Sequence, residues 1–567
     1  MQHAKTPDRV TGSTPVGAGA HRLLFIIFLF LCGFCAAVFW VLESRGNPHA
    51  SLLYVALLYV LALPALFLYW RASRLPRPAG FRLGKLHIVI AVLFSLAAII
   101  AGYYLQHGGI SDESAYKFQA RIFAEGKLKA APMPGATTDV LKTPPAILFE
   151  QTIQTPTGWF SKYPPGWPLI LSVGYLLHCP WLVNPICGIL QLFLIWLLAR
   201  PWGRNTQILA IVIAASSGFM LAFSIGFMSH GAESVVTLLA LWTLLKGVRE
   251  KRLGWITASF LLVVAATEIR SYTGAVLGVL CAAIVFYEWR RQRRLLLPAL
   301  AIIFGSGVLA AALFLLVNYI YTGNPLVTPY AMINGGAKIQ ELTVNPLEIA
   351  GNIMHVWRWS ITDTLRVTFP FMFLLAIYGC WKETDRKNEL VYLALFFPLL
   401  VLAYFLQSEG SGGSANTGER FYFEGFAAIS IVAARGLCLL ADRWRIKPQS
   451  IHSAVAVLLA LQVGGVVFTL EAMTAQKWPF ITGYRAAHKN PPPLVFFDLL
   501  APPLAAKHSN WNAANWQSAP TIYLIDPGPN RRDEVACRFH RPSYRVVESL
   551  ANGAVKAFDQ TASCATR

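Results

Sequence analysis

The sequence predicts an all-α polytopic membrane protein of about thirteen transmembrane helices, closed by a small α/β domain at its C-terminus. Three observations carry this. The 567 residues are 55% hydrophobic and only 13% charged, with a mean hydropathy of +0.50. Apolar runs of about 20 residues recur, the length that crosses a roughly 30 Å hydrocarbon core at about 1.5 Å per helical residue. Basic residues gather in short clusters between those runs, as they do in cytoplasmic loops. Backbone groups in lipid must be satisfied within their own segment, so the runs read as helices.

Taken in order, the chain is polar and weakly basic through residue 22, then apolar over 23–42. That run exceeds a signal-peptide core and lacks a small-residue cleavage site, so it reads as a retained first helix. The expected spans are 23–43, 51–70, 86–105, 183–199, 206–226, 231–248, 254–270, 272–289, 297–318, 366–380, 389–406, 421–438 and 451–470. With the N-terminus inside, five basic clusters fall on the cytoplasmic side. They are Arg71 to Lys85, Lys246 to Arg252, Arg290 to Arg294, Lys382 to Lys387 and Arg443 to Lys447. The C-terminus is then outside. Segment 167–177 is apolar but short and bounded by proline and glycine, so it is expected to lie in the interface or re-enter. Counting it as a span would invert every later loop.

Three regions follow: 1–85 with two extra helices, a membrane domain over 86–470 with a long outer loop at 106–182, and a small domain at 471–567. An amphipathic helix is expected near 114–125. The tail carries β-like runs at 493–497 and 521–525, bounded by proline, aspartate and glycine. The glycine-rich stretch 409–418 reads as a mobile loop. Seven of nine cysteines sit in or beside apolar runs and behave as small hydrophobes, Cys32 and Cys35 among them. Cys537 and Cys564 lie in the tail, where an oxidising compartment would let them pair. Spacing alone does not set that connectivity. The net charge of +20 comes from interhelical loops and not from a basic stripe with an aromatic platform, which excludes a nucleic-acid partner. No glycine-rich phosphate loop joins a strand to a helix, so no nucleotide cofactor is expected.

The polar loop after the third span carries most of the chemistry. Asp112 and Glu113 stand at the mouth of a membrane helix, where adjacent carboxylates are costly to desolvate. They read as functional acids or, with Ser111, as caps of the following helix. Lys162-Tyr163-Pro164-Pro165-Gly166 closes the loop. An ammonium at the membrane surface suits a phosphodiester headgroup, and the prolines stiffen the turn. The same lysine would also serve as an interfacial anchor with its stem in lipid. His230, in Met228-Ser229-His230 with Glu233 after it, is a ligand, an acid–base group or a packed side chain. Arg270 ends a span; Glu268, two residues earlier, does not share its helix face. Arg420, in Glu419-Arg420-Phe421-Tyr422-Phe423-Glu424, either holds an anionic headgroup or anchors its helix.

Asp112-Glu113-Ser114-Ala115-Tyr116, followed by an Ala-Arg-hydrophobic-Phe-Ala-Glu-Gly run from Ala120 to Gly126, resembles the first outer loop of GT-C-fold membrane glycosyltransferases. The resemblance is to the lipid A aminoarabinose transferase and protein O-mannosyltransferase-like family. It extends in order and spacing over most of 86–440, through the Lys162 element, the His230 and Arg270 loops, Asn318-Tyr319 to Gly323-Asn324-Pro325, and Arg420-Phe421-Tyr422. It implies transfer of a sugar from a polyprenyl-phosphate donor to a glycan, lipid or protein acceptor on the periplasmic face of a bacterial inner membrane. It assigns Asp112 as the base activating the acceptor, with Glu113 beside it. It assigns Lys162 to the donor phosphate, where Arg270 or Arg420 is expected to join it, with Tyr116, Tyr163, His230 and Glu233 as further site candidates. The glutamate that relatives carry before the lysine is replaced here by Ser161, which leaves a divalent metal open. The rival expectation is a transporter or flippase of a lipid-linked saccharide. Against it, no paired halves are visible, and the polar residues gather on one face.

Overall fold

The computed structural model describes residues 86–106, 111–137, 149–333, 350–351, 362–369, 371–405 and 420–444. Within the tail it describes 494–497, 512–527, 529–541, 543–546 and 558–562, with a few isolated positions besides. The expected spans 23–43 and 51–70 and the stretch 409–418 lie outside the described residues, as does 451–470 apart from isolated helical positions such as Gln462, whose Nε2 donates to Val367 O at 2.9 Å.

Among the described residues, seven helices are long and apolar enough to cross a bilayer. In the numbering used here, α1 is Leu86–Leu105, α4 Val183–Ala199, α7 His230–Glu250, α9 Ser271–Trp289, α10 Arg293–Thr322, α14 Lys387–Phe405 and α15 Phe423–Arg443. The most enclosed is the span Arg420–Arg443, which contains α15, with 78% of its apolar window buried; α10 has 0% and stands at the outer edge. Two further apolar helices are shorter: α8, Leu253–Ile269, and α13, Met372–Lys382.

The expected span 206–226 is two helices, α5 (Arg204–Ala215) and α6 (Gly218–Ile225), meeting at 64°. The break falls at Ser216-Ser217. Ser217 Oγ accepts from Phe219 N at 3.2 Å, capping α6, and donates to Val367 O at 2.8 Å. A serine that caps a new start and bonds a neighbouring carbonyl interrupts the helical ladder.

The outer loop is folded. Its first helix, α2 (Ser111–Ala124), begins with two acids that complement the helix dipole. A hairpin follows, β1 (Thr152–Thr155) antiparallel to β2 (Gly158–Ser161), with Thr155 opposite Gly158. The short apolar segment forms α3, Gly166–Leu176. Its Leu169 and Val173 face outward at 59% and 53% exposure, as suits a helix against lipid. A Cβ on Gly166 would meet Glu268 O at 2.6 Å, so only glycine lets α3 start this close to the end of α8. Two short helices complete the outer regions, α11 (Pro329–Ile333) and α12 (Thr362–Val367).

The tail forms a mixed sheet of β3 (Leu494–Phe497), β4 (Ile522–Ile525), β5 (Ser543–Val546) and β6 (Phe558–Ala562), in the order β4-β3-β5-β6. β3 runs parallel to β4 and β5, and β6 is antiparallel to β5. Parallel neighbours need crossovers, and α16 (Pro529–Arg538) lies in one of them, between β4 and β5. The sheet does not keep its core to itself. Leu494, Phe496, Trp516 and Leu524 share one buried cluster with Phe118, Ile122 and Trp159 of the outer loop, and Trp516 Nε1 donates to Ala131 O at 2.9 Å. Cys537 is disulfide-bonded, with a partner outside the described residues; the five other described cysteines are free.

Candidate functional site

A non-helical turn, Gly226 to Ser229, separates α6 from α7. Irregular backbone at membrane depth persists only where its polar groups are satisfied inside the protein. Here three side chains do so. Glu113 Oε1 accepts from Phe227 N at 2.8 Å, and Trp167 Nε1 donates to Phe227 O at 2.8 Å. Asn184 Nδ2 donates to the carbonyls of Gly226 and Met228. The turn is thereby fixed, and with it Ser229 and His230 at the mouth of α7.

Around that mouth a polar cluster converges. Arg270, at the α8–α9 junction, points Nη1 at Ser229 Oγ and His230 Nε2, both at 3.3 Å. Its Nη2 donates to Tyr404 OH at 3.4 Å, and Nε faces Glu424 Oε1 at 3.3 Å. His230 Nδ1 lies 2.8 Å from the same Glu424 oxygen. A guanidinium only donates, so His230 Nε2 accepts, and the ring carries its proton on Nδ1 toward Glu424. Glu233, fully buried and three residues further along α7, has neither carboxylate oxygen hydrogen-bonded among the described residues.

The second half of the cluster comes from the outer loop. Arg420 Nη1 donates to Asp112 Oδ2 at 2.8 Å, while Arg420 Nε is buried without a hydrogen-bond partner among the described residues. Phe421 approaches both cations, with the guanidinium carbons of Arg270 and Arg420 at 5.6 and 5.3 Å from its ring centre. Tyr404 stacks on the same ring at 4.5 Å. Cation–π contact and two carboxylates hold like charges near one another, an arrangement suited to an anion.

Aromatic side chains form the remaining wall. Tyr116 and Tyr163 stack at 4.4 Å between centroids, and Tyr330 of α11 meets Tyr163 edge-on at 5.6 Å. Lys162 Nζ sits 4.5 Å from the centre of the Tyr330 ring and 5.3 Å from that of Tyr163. Tyr116 OH is 3.3 Å from Ser229 Oγ; burial pushes its phenol up to about 12. Burial, and then the Asp112 charge, raises Tyr163 well above the usual phenol range, and its hydroxyl bonds Asp112. Both phenols stay protonated at neutral pH. The backbone just before Lys162 is tied to α2 by Gln119, whose Oε1 accepts from Ser161 N at 3.0 Å and whose Nε2 donates to Leu128 O at 3.0 Å.

Of the residues expected from sequence, Asp112, Tyr116, Tyr163, Arg270, His230 and Arg420 meet in this cluster, with Lys162 on its aromatic wall. Glu113 instead holds the Phe227 backbone, and Glu233 lies behind His230. Ser229, Tyr330, Tyr404 and Glu424 belong to the cluster and carried no assigned role. No group of three or more His, Cys, Asp or Glu converges as a metal site among the described residues.

No protein-family model matches the chain, and neither does any curated protein. Solved structures do. The Archaeoglobus fulgidus oligosaccharyltransferase in its apo form matches at 13% identity and a TM-score of 0.47, over 81% of this chain and 69% of that one. ArnT from Cupriavidus metallidurans bound to undecaprenyl phosphate matches at 14% and 0.48, over 76% and 85%. The arabinosyltransferase EmbB from Mycobacterium smegmatis matches at 14% and 0.32, over 75% and 46%. None of the TM-scores reaches 0.5, so no residue role is carried across from them.

Proposed function

We propose that the chain is an inverting glycosyltransferase that takes a sugar from a polyprenyl-phosphate carrier and works at the membrane surface on the side of its outer loop, the periplasmic side of an inner membrane. The observation that carries this is the pairing of Asp112 with Arg420 at 2.8 Å, beside Arg270 and under an aromatic wall. One carboxylate, two guanidiniums and one ammonium are the groups that acceptor activation and phosphate departure require.

In this mechanism the donor phosphate binds between Arg420, Arg270 and Lys162. The phosphate competes with Asp112 for Arg420, whose buried Nε has no hydrogen-bond partner among the described residues, and releases the carboxylate toward the acceptor hydroxyl. The hydroxyl oxygen attacks the anomeric carbon as the bond from that carbon to the phosphate oxygen breaks. Asp112 takes the hydroxyl proton, and the departing polyprenyl phosphate keeps the bonding pair, its charge met by fixed cations in a low-dielectric site. Arg270 is held in aim by Tyr404, Glu424 and His230, so the last two are positioning residues. The aromatic wall excludes water, which would compete as acceptor.

Purified protein incubated with a panel of polyprenyl-phosphate sugars should release free polyprenyl phosphate. Asp112→Asn should bind donor at least as tightly, because the carboxylate that competes for Arg420 is gone, and turn over about 10²–10⁴ more slowly, the scale of a general base. Donor binding without release by any pairing of donor and acceptor would favour a carrier for lipid-linked sugars over an enzyme.

A further inference from the structure

Helix α7 carries the candidate site at its N-terminus. Its other end, about 30 Å away at 1.5 Å per residue, forms one side of a cavity of about 470 Å³. The volume is within the range of small-ligand sites, roughly 300–1,000 Å³. One wall is apolar, made by Leu197, Leu198, Trp242 and Leu245. The rim is charged and unbalanced: Arg200, Lys246, Arg249 and Arg386 stand against Glu250 and Glu389, four cations to two carboxylates.

The carboxylates are already engaged. Glu389 accepts from Arg249 Nε at 3.2 Å and Nη2 at 2.6 Å, and from Arg386 Nη1 at 3.1 Å. Glu250 lies 3.8 Å from Arg252. Arg200 and Lys246 have no carboxylate partner among the described residues. Lys246 is nonetheless fixed, its Nζ 4.0 Å from the Trp255 ring centre and 5.1 Å from that of Trp242. The two rings meet edge to face at 5.6 Å. Ring faces orient the ammonium but give its N–H groups no acceptor. The cavity therefore holds two cations without a carboxylate partner among the described residues, one of them fixed by ring faces, over an apolar wall and at the ends of membrane helices.

We propose that this cavity binds the headgroup of an anionic phospholipid, with the phosphodiester between Arg200 and Lys246 and an acyl chain along the Leu197–Trp242 wall. Basic pockets between helix ends are where such headgroups are held, and tryptophan at that depth marks the membrane–water boundary. Charge selects the phosphate, and the apolar wall selects a lipid over a soluble anion.

The test uses the full chain in a mild detergent, with phosphatidylglycerol, phosphatidylcholine and inorganic phosphate as probes and retained ligand read by native mass spectrometry. One phosphatidylglycerol should be retained in preference to phosphatidylcholine, and inorganic phosphate should fail to displace it. Arg200→Gln and Lys246→Gln should each weaken retention about fivefold. Lys246→Arg should keep it, which separates charge from folding, and Arg290→Gln in another basic cluster should leave it unchanged. Three outcomes would each overturn the proposal: no preference for the anionic lipid, unaltered retention in both glutamine variants, or displacement by inorganic phosphate.

Discussion

Asp112 and Arg420 are 308 residues apart in the chain and 2.8 Å apart in space, yet both could be read from sequence. Each is a charge at the edge of an apolar run, where the cost of burial makes an idle charge improbable. Glu424 and Tyr404 were hidden for the opposite reason. A glutamate in the first turn of a helix reads as a dipole partner, and a tyrosine at the end of an apolar run reads as part of an interfacial belt. Lys162 is the residue whose two sequence readings the geometry leaves to experiment, because an ammonium over Tyr330 could hold phosphate or simply rest there. If it holds phosphate, Lys162→Met should weaken donor binding and slow turnover roughly ten- to a hundredfold, the loss of a charge-assisted contact. Lys162→Arg should keep part of both. Equal donor affinity and turnover for Lys, Met and Arg would make it an anchor.

At the scale of elements, periodicity and charge placement located most helices because lipid leaves the backbone few alternatives. Helix α2 and the strands β3 and β4 fall where amphipathicity and proline-bounded apolar runs put them. The break between α5 and α6 was not legible: two serines in an otherwise apolar run are tolerated in straight helices, and only the Val367 carbonyl gives Ser217 a reason to cap a new one. The turn at the other end of α6, Gly226 to Ser229, is the one that Glu113 holds, so the second acid of the Asp112-Glu113 pair has a structural task. A glutamine can still accept from Phe227 N. Glu113→Gln should therefore keep the melting temperature and most of the turnover, whereas Glu113→Leu leaves a buried N–H unpaired, costing about 1–3 kcal/mol. A glutamine variant as slow as Asp112→Asn would assign Glu113 to proton transfer instead.

At the scale of the molecule, the tail and the outer loop form one body. A hydrophobic core that includes Phe118 and Trp159 from the loop and Leu494 and Leu524 from the tail cannot straddle a bilayer, so both lie on the same side. Charge placement puts both outside, but sequence could not show the shared core, because contacts between segments more than 300 residues apart leave no periodic signal. If that shared side is the periplasm, reporter fusions after residues 250, 292 and 384 should read cytoplasmic and a fusion at the C-terminus periplasmic. A cytoplasmic C-terminus would move loop and candidate site to the other face together. The shared core also makes the tail a support for the loop that positions Lys162. Trp516 is 7% exposed and bonds the loop at Ala131. Trp516→Ala should cost about 3–5 kcal/mol of local stability. The loop should then be cut faster in limited proteolysis and donor affinity should fall, while the membrane helices keep their circular dichroism. Trp516→Phe, which loses the hydrogen bond but keeps most of the volume, should fall between the two. Unchanged loop cleavage in Trp516→Ala would show that the loop holds its shape without the tail, and would leave the tail free for a task of its own.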